Sequence, residues 1–188
     1  MSNSSQFHLQ YLKLAVPDLE SYLLSPAVFW PLPSAPTSLN EPGMDQMTLG
    51  GVVLSLKVIT AYALPEAMTL SHLVEDVRER WRSNWAKKAA KEFSQRVRNW
   101  EHTVGELTHQ TAGRLNVYRA QVRNRVILEL LKDEMSPERP TELAVLASLD
   151  TTLRNLFVQG DFLWDAPLQS IFPQPRFWFL YLASVQIQ

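Results

Sequence analysis

The sequence of 188 residues predicts an all-α protein, folded as one domain over residues 1–188. Three observations lead to this fold class. Apolar residues recur at steps of three and four between Ser71 and Met135, which is the spacing of one helical stripe. Prolines and glycines gather between such stretches, and 46% of all residues are hydrophobic, enough for a proper core. The stripe comprises Leu73, Val77, Trp81, Trp85, Ala89, Phe93, Val97, Trp100, Val104 and Leu107.

The stretch 71–135 is too long to stay a single helix in a compact domain. At 1.5 Å per residue it would extend roughly 98 Å, whereas a compact chain of this length has a radius of gyration of about 16 Å. Weak points for a helix are confined to Gly105 and the run 109–113. We therefore expect a long antiparallel helical hairpin that turns within residues 108–114, with Gly113 in the left-handed conformation.

The N-terminal third predicts shorter elements packed on that hairpin. Residues 1–6 are small and polar and are expected to fray. Residues 7–16 fit either a short strand or a helical turn, and a short helix is expected over residues 18–24. Five prolines interrupt residues 26–43 and exclude a regular helix there. Because this segment also carries Phe29 and Trp30, we interpret it as an ordered Pro-rich arm.

Two further helices have recognisable starts. Thr48 is a suitable N-cap for a helix over residues 49–63, although Gly50 and Gly51 weaken that prediction. Thr141 can cap a helix that reaches about Val158. The tail, residues 161–188, is aromatic and interrupted by proline, and it predicts a short terminal strand or a last helix. Its aromatic side chains are interpreted as core, with a partner-binding patch as the alternative.

The composition excludes several function classes. The chain has no cysteine, hence no thiol nucleophile, no disulfide and no Cys-ligated metal. No G-x-S-x-G motif and no phosphate-binding loop is present. The sequence thus leans away from an enzyme and predicts no cofactor. It also offers no apolar run of about 20 residues for a membrane span and no basic, apolar leader, so we expect a cytoplasmic protein.

The net charge of −1 conceals a strong asymmetry. Residues 78–132 carry thirteen basic and five acidic side chains, an excess of +8. Residues 1–77 have a net charge of −5, and residues 133–188 have −4. Either the acidic flanks fold against the basic region and neutralise it, or the basic region faces an anionic partner.

Four of the basic residues would share one helix face. At 100° per residue, Arg80, Lys87, Lys91 and Arg98 fall within a sector of about 40°, roughly opposite the apolar stripe. We call these four residues the basic ridge. The ridge predicts a non-enzymatic interaction or regulatory module that binds an acidic protein surface or nucleic acid. A solvated outer helix face is the alternative interpretation.

A second function class rests on three residues of the same stretch. His102, Glu106 and His109 share a helix face, and the last two form the E-x-x-H pair that supplies metal ligands in some helical bundles. The alternative hypothesis is therefore a helical-bundle metalloprotein. The sequence contains no second E-x-x-H, and solvated polar residues explain the same spacing. Tryptophans of the apolar stripe are expected in the core rather than stacked on nucleobases.

Overall fold

The computed structural model describes residues 3–33, 45–110, 112–136 and 139–184. Mainly α-helical structure is confirmed, since the described strands form only two short two-stranded sheets. The helices are α1 (Asn3–Ala15), α2 (Leu19–Leu24), α3 (Leu49–Ala61), α4 (Ala67–Arg80), α5 (Arg82–His109), α6 (Arg114–Leu131), α7 (Pro140–Leu156) and α8 (Gln174–Phe177). The strands are β1 (Trp30–Pro31), β2 (Gln46–Met47), β3 (Phe157–Gln159) and β4 (Leu182–Ser184).

By its contacts the chain divides into two compact units. The first comprises residues 1–92 and 134–137, and the second comprises residues 93–133 and 138–188. Helix α5 contributes its first part to the first unit and its remainder to the second. The single domain of residues 1–188, and the hairpin over the whole stretch 71–135, stay predictions.

Helix α3 is the centre of the first unit, where it packs against α1 and α4. Its start is held as predicted, because the Thr48 hydroxyl accepts a hydrogen bond from the Gly51 amide at 3.0 Å. Gly51 is required here for space, since a Cβ at this position would collide with the Tyr11 hydroxyl. Gly51, one of the two glycines that weakened the prediction of a helix, thus allows α1 to approach α3 closely.

Two other side chains complete this helix start from a distance. The Leu49 amide donates to the Tyr22 hydroxyl at 3.2 Å, and the Gly50 amide donates to Glu92 Oε2 at 3.0 Å. Glu92 is fully buried. A carboxylate at a helix N-terminus is stabilised by the helix dipole and by the amides that would otherwise lack partners. The start of α3 is therefore fixed by residues from three separate parts of the chain.

The remaining elements of the first unit differ in detail from the prediction. Residues 3–6, expected to fray, lie in α1, and residues 7–15 continue this helix rather than forming a strand. The short helix α2 matches the expected one. In the Pro-rich arm, β1 pairs antiparallel with β2, Trp30 opposite Met47. Residues 34–44 of the arm lie outside the described part of the chain.

The helix that was predicted to run unbroken from Ser71 is interrupted at Trp81. Helix α4 ends at Arg80, Trp81 adopts φ −114° and ψ 32°, and α5 begins at Arg82. The one interruption that was expected, within residues 108–114, is confirmed, because α5 ends at His109 and α6 begins at Arg114. Gly113 has φ +69°, the left-handed conformation predicted for it.

The second unit buries an aromatic core between α6, α7 and the C-terminal tail. Trp100, Tyr118 and Phe179 are fully buried, and the Tyr118 hydroxyl donates to the Phe179 carbonyl at 2.6 Å. Strand β3 pairs antiparallel with β4, so the tail ends in the short strand that the sequence allowed. The core interpretation holds for the buried aromatic residues of the tail, which are Phe172, Phe177, Phe179 and Tyr181.

The contacts between the second part of α5 and α6 join residues in opposite sequence order. Arg96 donates to the Asn124 side-chain oxygen at 2.8 Å, and the Trp100 ring lies 6.3 Å from the Tyr118 ring. As the position in α5 advances, the contacted position in α6 recedes. These helices therefore run antiparallel within the second unit.

Candidate functional site: the lysines of α5

Three lysines occupy one turn of α5 within the first unit. Lys87 and Lys91 are exposed, whereas Lys88 is only 5% exposed. Because residues four apart differ by about 40° around a helix, Lys87 and Lys91 lie on the same face. Lys88 is turned about 100° from Lys87, towards the interior. The three charges thus lie close together along the helix but in different environments.

Lys88 is held by main-chain carbonyls of the segment that follows α2. Its ammonium group donates to the Ser25 carbonyl and to the Ala27 carbonyl, both at 2.7 Å. It also lies 4.5 Å from the centre of the Tyr22 ring, a cation–π distance. The pKa of Lys88 is lowered to about 8, chiefly by burial and also by the charge of Lys91, while Glu92 acts in the opposite direction.

Lys91 is held by the main-chain carbonyl that lies between those of Ser25 and Ala27 in the sequence. Its ammonium group donates to the Pro26 carbonyl at 2.5 Å. Carbonyl oxygens carry only a partial negative charge, so residues 25–27 orient the two lysines without neutralising them. Lys87 makes no hydrogen bond or ion pair with any residue that the structure describes. A positive charge therefore remains on this turn of α5.

Three other cations of the first unit are paired with carboxylates, whereas Lys57 and Arg82 pair with none that the structure describes. Arg78 binds Glu134 at 2.8 Å, and Lys13 binds Glu66 at 3.1 Å. Neutralisation by an acidic flank therefore applies to Arg78, which belongs to the basic region, whereas no described carboxylate forms an ion pair with Lys87 or Lys91. The pairing supports the first interpretation of the charge asymmetry for Arg78, and the anionic partner stays a prediction.

The basic ridge is not a single helix face, because the break at Trp81 separates Arg80 from the other three residues. Arg80 is the last residue of α4, and its guanidinium lies 3.3 Å from a Glu20 carboxylate oxygen. The sector calculation assumed an uninterrupted helix and was wrong for this residue. Arg98 belongs to the part of α5 in the second unit, is exposed, and donates to the Ser94 carbonyl at 3.4 Å.

The residues of the metal hypothesis are exposed on the last turns of α5. His102 Nδ1 lies 3.5 Å from Glu106 Oε1, and these side chains are 74% and 62% exposed. His109 is also exposed. Among residues 3–33, 45–110, 112–136 and 139–184, no three His, Cys, Asp or Glu side chains are arranged to hold a metal ion. The geometry thus gives the metalloprotein hypothesis no support.

Two of the three stripe tryptophans are core residues. Trp85 and Trp100 are buried, as is Phe93. Trp85 also donates its indole N–H to Glu134 Oε2 at 2.9 Å within the first unit. Trp81 is half-buried at the junction of α4 and α5. These rings do not form an exposed platform on which nucleobases could stack.

Sequence reasoning missed the carbonyl cradle around Lys88. The partners lie more than 60 positions away along the chain, in a segment without regular structure. A signal was nevertheless present, because the prolines of the arm leave neighbouring carbonyls without helical donors. That signal does not identify which lysine these carbonyls bind.

Comparison with known proteins adds no functional information. The chain matches no protein-family model, no curated protein and no solved structure. Within the described residues, no helix combines the length and the apolar character that a membrane span requires.

Proposed function

We propose that this protein is a non-enzymatic interaction or regulatory module, and that the face of α5 bearing Lys87 and Lys91 binds an anionic partner. The proposal rests on the kind of groups that contact the lysines of α5. Main-chain carbonyls, rather than carboxylates, hold Lys88 and Lys91, and Lys87 has no partner among the described residues. Exposed like charges this close repel one another, and an approaching anion relieves that repulsion.

The partner has an acidic protein surface or a nucleic-acid backbone as its binding element. The burial of Trp85 and Trp100 favours the protein surface over a single-stranded nucleic acid, because base stacking needs exposed rings. A duplex backbone remains compatible with two exposed lysines, since phosphate contacts need only cations. The cytoplasmic location expected from the sequence belongs to this same proposal.

Two variants of equal charge test the proposal. Lys87→Glu/Lys91→Glu reverses the two exposed lysines of α5, and Lys57→Glu/Arg119→Glu reverses two exposed cations elsewhere. Each variant lowers the net charge by the same amount. Binding to poly-glutamate and to a mixed-sequence DNA duplex is measured by fluorescence anisotropy at low salt. We expect the first variant to lose binding and the second to retain most of it.

The two probes separate the two kinds of partner. If DNA binds through both lysines, the log–log dependence of affinity on salt has a slope of about −1.8 for two phosphates. Binding to poly-glutamate alone identifies an acidic protein surface. Equal losses in the two variants would mean that only the net charge matters, and would contradict the proposal. A wild-type protein that binds neither of the two probes would also contradict it.

A further inference from the structure

The second unit contains a pocket that the proposed interaction does not use. It has a volume of about 230 Å³ and lies beside β3, between the end of α7 and the C-terminal tail. Its walls include Phe157 and Leu182, which are nearly buried, and the ring of Trp178. The pocket is somewhat smaller than the roughly 300–1,000 Å³ that sites for drug-sized ligands occupy. Its size therefore suits a small ligand.

Among the described residues of the pocket wall, an arginine is the only charged one. Arg154 lies in the last turn of α7, and its guanidinium carbon is 3.6 Å from the centre of the Trp178 ring. No aspartate or glutamate of the described residues lines the pocket. Within the described chain, Arg154 has no carboxylate partner and makes no hydrogen bond through its side chain. Its charge is thus available to a ligand.

Stacking on Trp178 orients this guanidinium without consuming its donors. A planar guanidinium that lies over an aromatic face keeps its N–H groups pointing outwards in the plane. That fork matches the two oxygens of a carboxylate, which it binds with two parallel hydrogen bonds. Two other arginines of the second unit differ here, since Arg125 uses this fork on Asp150 and Arg176 divides its donors between Glu129 and Asp133.

Two amide side chains add neutral hydrogen-bonding capacity. Gln159 from β3 and Gln174 from α8 line the pocket together with Arg154. Each amide can donate through its NH₂ group and accept through its oxygen. Tyr181 also lines the pocket, but its hydroxyl already donates to the Phe172 carbonyl at 2.9 Å. The polar groups are therefore one fixed cation and two adaptable amides above an apolar wall.

We infer that this pocket binds an organic monocarboxylate with an apolar body. The carboxylate pairs with Arg154, and the apolar part lies against Trp178, Phe157 and Leu182. The carboxylate can belong to a free small acid or to the C-terminal residue of a peptide, which present the same group. This inference does not rest on the lysines of α5 and stands or falls separately from the proposed function.

Ligand-observed NMR titration of the full chain tests the inference with three probes. They are 3-phenylpropionate, its neutral amide, and N-acetyl-phenylalanine as a mimic of a peptide end. For ligands of this size we expect a Kd in about the millimolar range. Both acids should bind saturably and compete with each other, whereas the amide should not. The tighter acid identifies the source of the carboxylate.

Variants assign the binding to Arg154. Arg154→Gln should weaken binding of the acids about tenfold or more, because it removes a charge-assisted bidentate pair. Arg154→Lys keeps the charge but loses the fork and should also weaken binding. The matched control is Arg119→Gln, an exposed arginine of α6, which should bind like wild type. Circular dichroism melts of each variant exclude unfolding as the cause.

Three results would overturn the inference. One is the absence of saturable wild-type binding at about 10 mM acid, which is above the expected Kd. Another is equal binding of the acid and its amide, which would show that the carboxylate is not recognised. The third is unchanged affinity in a folded Arg154→Gln variant.

Discussion

Replacing Arg125 by methionine tests the buried charge cluster that ties α6 to α7. The Arg125 side chain is 3% exposed and binds both oxygens of Asp150, at 2.9 and 2.8 Å. It also binds Glu129 at 3.2 Å and lies over the Phe179 ring at 4.1 Å. Burial lowers the pKa of Arg125, but Asp150 and Glu129 outweigh burial and keep that pKa above its ordinary value.

The cost of Arg125→Met follows from the carboxylates that it leaves behind. Removing one partner of a buried pair typically costs about 3–5 kcal/mol of unfolding free energy. Glu129 keeps Lys132 at 3.0 Å and Arg176 at 3.2 Å, so the main loss is at Asp150, which is 18% exposed. We therefore expect about 3 kcal/mol. For a chain of this length that lowers the Tm by about 6–12 °C.

Urea unfolding followed by circular dichroism measures this cost. The control Arg119→Met removes an exposed arginine from the same helix and should change stability by no more than about 0.5 kcal/mol. The double variant Arg125→Met/Asp150→Leu removes both charges and should be more stable than Arg125→Met alone. The reasoning would be refuted by an Arg125→Met variant as stable as the control, or by a double variant that loses the sum of the two single effects.

Two further predictions concern backbone conformation and pH. Gly113→Ala should lower the free energy of unfolding by about 1 kcal/mol, because φ at this position is +69°, although a Cβ would meet no other atom. Gly113→Asn should lower it by less. Equal Tm values for wild type and Gly113→Ala would contradict this prediction. Lys88 has a pKa of about 8 in the folded chain and about 10.5 in the unfolded chain. Between pH 8 and 10.5 the unfolded chain therefore binds more protons than the folded chain. Wild-type stability should therefore rise by about 1–3 kcal/mol between pH 8 and 10.5 relative to Lys88→Met, and parallel pH profiles of unfolding free energy would refute it.

The sequence predicted those structural features that depend on a few neighbouring residues. The Thr48 cap and the left-handed Gly113 were both readable, because a hydroxyl at a helix start and a glycine in a helix break act over a few residues. The break at Trp81 was not readable, since its flanks contain neither glycine nor proline. Contacts of α4 with α1, α2 and α3 accompany that break, and such tertiary contacts override an uninterrupted helical pattern.

The candidate site was also predicted only where it depends on residues close together in the sequence. Helical periodicity placed Lys87 and Lys91 on one exposed face, which depends only on spacing within α5. It could not reveal that Lys88 turns towards the carbonyls of Ser25 and Ala27, because those partners come from a distant, irregular segment. Nor could it reveal the stacking of Arg154 on Trp178, which depends on how the tail folds back onto α7.

Lysine footprinting tests the central claim most directly, since it needs no substitution. The protein is labelled with an amine-reactive reagent in the presence and absence of poly-glutamate or duplex DNA, and mass spectrometry reports the labelling rate of each lysine. We expect a bound probe to slow the labelling of Lys87 and Lys91 severalfold. The labelling rate of Lys57, which is exposed on α3, should not change. Equal protection of Lys57, or no protection of Lys87 and Lys91 by a bound probe, would contradict it.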